Sequence, residues 1–150
     1  MNNDKVKECF GGAKKDDAQG KKHRGLLITK PNRLLAEDYI LKAKKNLEFC
    51  EFYKNQGVDY KLPEEWFYTL YYCALAILSK FAVESRSQRC TAAFLHHVKN
   101  KGLIEYDSEF IDMSEYHPCC TGGILSMLGN HRFPACQKRI AFLSMLKNYA

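Results

Sequence analysis

The sequence has no apolar run long enough to span a membrane, and it lacks the short motifs of the common hydrolases. Its longest apolar stretch, WFYTLYYCALAIL from Trp66, has 13 residues, whereas a membrane span needs roughly 20. No glycine loop is followed by Lys and Ser or Thr, and no nucleophile elbow occurs. We therefore expect a globular protein without the signatures of P-loop NTPases or α/β-hydrolases.

A recognisable leader is also missing, because the first residues, MNNDKVKECFGG, are polar throughout. The cysteines number seven. An odd number of cysteines without a leader favours reduced thiols over a framework of disulfides. These two observations predict a cytoplasmic protein with free cysteines.

The basic charge is concentrated near the N-terminus. The chain carries a formal net charge of +6, and residues 1–33 hold nine Lys and Arg against four Asp and Glu. Residues 1–30 mix Lys, Asp and Gly with almost no periodic apolar pattern, which predicts a flexible basic arm ahead of a domain over residues 31–150. Such an arm would attract RNA or another polyanion whatever its sequence, or would simply be solvated.

Two helices are predicted at the start of the domain. Asn32 can cap a helix in which an apolar face recurs at spacings of four and three residues, formed by Ala36, Ile40, Ala43, Leu47 and Cys50. The next segment, LPEEWFYTLYYCALAILSKF, has a proline and two glutamates in its first turn, as helices often do. Its apolar residues cover most of the circumference, so this helix is expected at the centre of the protein.

A third helix is predicted from Ser87, a good N-cap, to Gly102, which suits the position after a helix end. With Phe94 at the centre of its buried face, steps of 100° place Arg89 and His96 together on the far side. The sequence therefore predicts that both side chains point outward.

The remaining pattern predicts one short helix before Pro118 and a last helix that opens at Pro134. No convincing alternation with a period of two residues appears. We therefore predict an all-α fold, a bundle of four to five helices in up-and-down order, without a β-sheet.

Arg89 and His96 are a candidate catalytic pair. They are seven residues apart, hence about 20° apart around the helix and about 10 Å apart along it. Arginine offers a forked cation to phosphate oxygens, and neutral histidine can remove a proton near pH 7. The pair has the parts to cut RNA through its own 2′-hydroxyl, without a metal ion or cofactor. The alternative is that both side chains are solvated on a polar helix face.

Two further cations are candidate phosphate contacts. Arg86 precedes the third helix and can bind an anion near its N-terminus, although a solvated arginine is the alternative. Lys99 lies further along the same helix. His97 borders the apolar face and is expected to be a hydrogen-bonded histidine at the edge of the core.

The C-terminal region holds residue types that bind zinc. Their spacing does not fit a structural site, because two of the cysteines are adjacent rather than two residues apart. We therefore expect no metal site among His117, Cys119, Cys120, His131 and Cys136.

The segments KPNRLLAEDYILKAKKNLEF and WFYTLYYCALAILSKFAVESRSQRCTAAFLHH together resemble the HEPN domain family, especially its small prokaryotic members. The resemblance covers about residues 22–105. It implies a helical bundle that forms a homodimer, often encoded beside a nucleotidyltransferase partner in toxin–antitoxin pairs. It also implies nucleotide or RNA binding and, for many members, metal-independent ribonuclease activity.

The family's active site is an arginine followed, after four to six residues, by a histidine. Arg89 and His96 fit this pattern at its upper limit, with Arg89 as phosphate binder and His96 as general base. Gln88 departs from the pattern, because relatives tend to carry a histidine there and glutamine cannot shuttle a proton. The rival hypothesis is therefore a catalytically inactive, antitoxin-like or structural interaction module.

Overall fold

A computed structural model describes residues 2–115 of the chain. Five α-helices, one 3-10 turn and two short strands follow one another in this region. Their bounds are α1 Asn2–Ala18, β1 Leu26–Ile28, α2 Arg33–Asn55, the 3-10 turn Asp59–Lys61, α3 Leu62–Lys80, β2 Val83–Ser85, α4 Gln88–Asn100 and α5 Ser108–Glu115.

The hairpin of α2 and α3 is the main packing unit, and α3 is central. The N-cap predicted for α2 is confirmed, because the Asn32 side chain accepts a hydrogen bond from the Leu35 backbone N–H at 3.0 Å. The predicted apolar face of α2 packs against α3 and is buried, except at Cys50, which is half-buried. On its other sides α3 contacts α4, α5 and β2, so it is buried around most of its circumference, as its composition predicts.

The predicted mostly helical fold is confirmed for the described residues, with two differences. The first is a small antiparallel sheet, in which β1 pairs with β2 and Leu27 lies opposite Glu84. Strands of three residues are too short for a period of two to be recognised in the sequence. The small sheet is therefore an addition to the predicted all-α fold, which the five helices of the described region support.

The second difference concerns residues 1–30, where we predicted a flexible arm. The structure forms α1 and β1 there, and α1 packs against α4. The helix buries only two of its own hydrophobic residues, Val6 and Ala13, which explains why no apolar stripe was seen. Phe10 packs against the core while partly exposed, and a disulfide between Cys9 and Cys90 adds a covalent attachment.

Two other expectations concern the chain ends and the membrane. The short helix predicted before Pro118 is confirmed as α5, whereas the helix predicted from Pro134 lies outside the described residues. Among residues 2–115, no helix combines the length and the apolar composition that a membrane span requires.

Candidate functional site

The helix α4 carries the predicted catalytic pair. It begins after Ser87, whose side chain accepts a hydrogen bond from the Cys90 backbone N–H at 3.3 Å, as expected of an N-cap. It ends before Gly102, whose positive φ of 69° suits the position after a helix. Both Arg89 and His96 therefore belong to one continuous helix and lie about 20° apart around it.

The surroundings of α4 differ from the prediction of one buried and one open face. Helix α1 packs on one side of α4, α5 packs on another, and α3 lies behind. Buried residues consequently occur around much of the helix, including Ala92, Ala93 and Leu95. Arg89 remains exposed, whereas His96 is half-buried beside α5.

His96 forms a hydrogen bond that the sequence did not predict. Its Nε2 lies 2.8 Å from Oδ1 of Asp112, a residue of α5. When the proton is on Nε2, that N–H donates to the carboxylate and Nδ1 keeps a lone pair that can accept a proton. The carboxylate also stabilises the imidazolium that such a transfer would create. His96 and Asp112 together have the parts of a general base and its positioning group.

Lys99 and His97 occupy the last turn of the same helix. The Lys99 ammonium donates a hydrogen bond to the Ser108 hydroxyl at 2.7 Å, which ties α4 to the first residue of α5. This partner is neutral, so the contact places no negative charge beside the lysine. His97 is half-buried next to Val98, at the edge of the core as predicted, but its side chain forms no hydrogen bond within residues 2–115, so the predicted hydrogen bond is not found there.

Arg86 belongs to a second cluster, which the sequence analysis did not recognise. Its Nε donates to Oε1 of Glu84 at 2.9 Å, and Nε2 of His23 lies 3.2 Å from the same oxygen. The Arg86 backbone N–H donates to the Gly25 carbonyl at 3.2 Å. The side-chain cluster thus joins β2 to the loop between α1 and β1.

The pKa of Glu84 reflects this arrangement. Partial burial raises the pKa, but the hydrogen bonds from His23 and Arg86 and the charge of Arg86 together lower it by more. The net pKa of the carboxyl lies below its usual value. Glu84 is therefore an anion at neutral pH and a firm acceptor for both neighbours.

Arg86 also lines an open cleft of about 920 Å³. The cleft walls are formed by the end of α1, by the loop that follows it and by Arg86, and they consist of Asp16, Lys21, Lys22, His23, Arg24 and Arg86. The run KKHR was visible in the sequence, but it was assigned to a flexible arm. Only the folding of α1 and β1 brings it beside Arg86, more than sixty residues further along the chain.

The cysteines correct another expectation. Cys9 of α1 and Cys90 of α4 form a disulfide across a sequence separation of 81 residues. The expectation of reduced thiols is therefore wrong for this pair. Cys50 is half-buried and Cys73 is buried, and burial raises the pKa of the Cys73 thiol well above its usual value, so this thiol is unreactive.

Two candidate features of the sequence are not joined to these clusters. Gln88 is half-buried in the first turn of α4. We predicted that the histidines and cysteines after residue 115 form no metal site, and these residues lie outside the described region. Within the described part of the chain, no group of three or more His, Cys, Asp or Glu side chains is arranged to hold a metal ion.

Comparison with known proteins gives no relative. No family model, no curated protein and no solved structure matches the chain. The features that bear on function are the residues of α4 and α5 and the open cleft beside Arg86, called the cationic cleft below.

Proposed function

We propose that this chain is a HEPN-like protein that binds RNA or nucleotides and cleaves RNA without a metal ion. The single observation that carries the proposal is the 2.8 Å hydrogen bond between His96 and Asp112, on the helix that also exposes Arg89. A histidine paired with a carboxylate, on the same helix as an arginine that has no ion pair within residues 2–115, is the minimum equipment for proton transfer at a phosphodiester.

The proposed reaction assigns one role to each side chain. Nδ1 of His96 removes the proton of a ribose 2′-hydroxyl, and Asp112 holds the ring through Nε2. The 2′-oxygen attacks the adjacent phosphorus, whose oxygens are bound by the Arg89 guanidinium. The bond to the 5′-oxygen breaks, this oxygen takes a proton from solvent, and the products are a 2′,3′-cyclic phosphate and a 5′-hydroxyl end.

A homodimer is part of this proposal, because Arg89 and His96 lie about 10 Å apart along α4 and a second subunit can complete the site. The outer face of α2 supports such an association. Leu34, Leu41 and Phe52 are 78%, 52% and 56% exposed and lie within about 20° of one another around the helix. An apolar stripe of this kind on a helix is typical of an interface.

The system in which the chain works is also a proposal. Following the family resemblance, we propose a prokaryotic toxin–antitoxin pair with a nucleotidyltransferase partner and a cytoplasmic location. The cytoplasmic proposal no longer gains support from free cysteines, since Cys9 and Cys90 are joined.

The test is cleavage of single-stranded RNA in excess chelator. We expect His96→Ala and Arg89→Ala each to lower the cleavage rate by about 100-fold, since each removes a group that acts in the transition state. Asp112→Asn should lower it by at least about tenfold, because the ring loses its positioning anion. End-group analysis should find the cyclic phosphate.

The matched control is Lys44→Ala/Lys45→Ala, which removes two exposed positive charges from α2. This variant should cleave RNA at the wild-type rate. If Arg89→Ala/His96→Ala degrades RNA as fast as the wild type, the activity belongs to a contaminant and the nuclease proposal is wrong.

The second candidate is a catalytically inactive interaction module. Gln88, which cannot titrate, and the exposed apolar stripe of α2 favour it. In that case RNA stays intact, while Leu41→Asp/Phe52→Asp abolishes self-association in light scattering and leaves the helical circular dichroism unchanged. The two candidates are thus separated by the cleavage assay, because self-association through α2 belongs to both of them.

A further inference from the structure

We propose that the cationic cleft beside β1 binds a phosphate monoester, carried either by a small molecule or by the end of an RNA chain. The cleft is formed by Asp16, Lys21, Lys22, His23, Arg24 and Arg86. The inference goes beyond the proposed function, because it requires neither Arg89 nor His96 and holds whether or not α4 cleaves RNA.

The charge of the cleft is the first argument. Four cations line it, against a single carboxylate, that of Asp16. This carboxylate already accepts a hydrogen bond from the Arg24 backbone N–H at 3.2 Å, so it shapes the loop. Within residues 2–115, the side chains of Lys21, Lys22 and Arg24 form no ion pair or hydrogen bond.

Other cations on the surface of the protein do form ion pairs, unlike those of the cleft. Arg33 pairs with Glu37 and Lys42 pairs with Asp38, both at 2.8 Å on the surface of α2. In the cleft, by contrast, Lys21, Lys22 and Arg24 lie in one loop, and none of their side chains forms an ion pair within residues 2–115. Their repulsion is relieved when an anion binds, which makes the cleft selective for charge.

The second argument is that Arg86 is held in one orientation. Its Nε is bound by Glu84, and its backbone N–H is bound by Gly25. Both Nη groups therefore remain for a ligand, since no residue of the described region accepts from them. Glu84 acts as a positioning residue, because it fixes the plane of the guanidinium that faces the cleft.

The third argument is His23. This residue is 6% exposed and lines the cleft, and its Nε2 is bound to Glu84. Its Nδ1 is buried and has no hydrogen-bond partner in the described part of the chain. A buried polar atom without a partner is costly in a folded protein. The wall of the cleft therefore contains a buried nitrogen whose hydrogen-bonding capacity is not used by the described residues.

The number of charges indicates a monoester rather than an internal diester. An internal phosphodiester carries one negative charge, whereas a monoester approaches two near neutral pH. Several cations from one loop, together with an oriented arginine, match a compact dianion with three terminal oxygens. The ligand class is therefore a terminal phosphate group.

The test is binding of 2′-O-methyl RNA, which cannot be cut through a 2′-hydroxyl, so that binding is measured apart from cleavage. Two fluorescent oligonucleotides of one sequence are compared by anisotropy without reductant, one with a 5′-phosphate and one with a 5′-hydroxyl. We expect the 5′-phosphorylated RNA to bind about tenfold more tightly. Inorganic phosphate and adenosine 5′-monophosphate are then added as competitors.

The variants separate this cleft from general attraction. Lys21→Ala/Lys22→Ala and Arg86→Ala should reduce the preference for the 5′-phosphate to less than about twofold. Lys44→Ala/Lys45→Ala, which removes the same charge as the first variant, should keep the preference. Circular dichroism must show that each variant is folded; His23→Gln serves as a further cleft variant if Arg86→Ala unfolds.

Each outcome decides the proposal. Competition by inorganic phosphate or by the nucleotide supports a site that recognises a small phosphate. Preference for the 5′-phosphorylated RNA without such competition supports a site that recognises an RNA end. Equal binding of the two RNAs by the wild type, or an equal loss in the Lys44→Ala/Lys45→Ala control, overturns the inference. The nuclease proposal is unaffected by this result, because it is tested by cleavage at His96.

Discussion

The hairpin of α2 and α3 and the N-terminal helix α1 are attached to the protein in different ways. The hairpin buries a continuous apolar surface, in which Leu70 and Ala43 are fully inaccessible to solvent. Helix α1 buries two hydrophobic residues and is joined to α4 by the Cys9–Cys90 disulfide. Apolar burial thus holds the first region in place, whereas the second combines a smaller apolar contact with a covalent bond.

The difference matters because α1 and the loop that follows it supply five of the six residues that line the cationic cleft. Helix α1 contains Gly11 and Gly12, and an isolated helix of 17 residues with two glycines is marginal in water. The loop that follows α1 supplies Lys21, Lys22 and Arg24 to the cleft. The proposed phosphate site therefore depends on a helix that packing alone holds weakly.

The largest expected effect is in the hairpin. Leu70→Ala should lower the free energy of unfolding by about 3–5 kcal/mol, because Leu70 is completely buried and its loss leaves a cavity in the core. Chemical denaturation measures this value. As a control, Leu34→Ala on the exposed face of α2 should change it by less than about 0.5 kcal/mol. Equal losses in both variants would contradict the packing described for α3.

A somewhat smaller effect is expected from cutting the attachment of α1. Cys9→Ala should lower the free energy of unfolding by about 2–4 kcal/mol, because the disulfide closes a long loop in the unfolded chain. Amide exchange in α1 should accelerate more than exchange in α2 and α3. Cys50→Ala, which leaves the disulfide intact, is the control. Uniform acceleration across all helices would show that α1 is not a separate unit.

The smallest effect is expected at the contact between the loop and α1. A Cβ at Gly25 would collide with the backbone carbonyl oxygen of Cys9, so one of the two backbones must move in Gly25→Ala. We expect a loss of about 1–3 kcal/mol. The control is Gly12→Ala, which has open space around the new Cβ and should be neutral or stabilising. Gly20 is not used as a control, because its φ is positive and any side chain there would be strained. A neutral Gly25→Ala would contradict the close approach of β1 to α1.

Much of the hairpin and of α4 could be predicted, because their signals are local. Asn32 and Ser87 are N-caps that act within three residues, and the buried face of α2 repeats at helical spacing. The same periodicity placed Arg89 and His96 on one helix. It could not place Asp112 beside His96, because that contact depends on how α5 packs against α4.

The N-terminal region could not be predicted, because the contacts that form it are not local. Its helix has no strong apolar stripe, its strand has three residues, and its disulfide partner is 81 residues away. The pairing of seven cysteines cannot be deduced from their spacing. Residues 21–24 were visible as a basic run, but their meeting with Arg86 requires β1 to pair with β2.

The amino-acid sequence by itself determined the helices of the hairpin, the course of α4 and the excess of positive charge near the N-terminus, since caps, periodicity and charge act over a few residues. Only the tertiary structure decided that His96 meets Asp112, that Cys9 meets Cys90 and that the basic loop meets Arg86. These contacts join residues far apart in the chain, and their positions depend on the packing of whole helices rather than on any local preference.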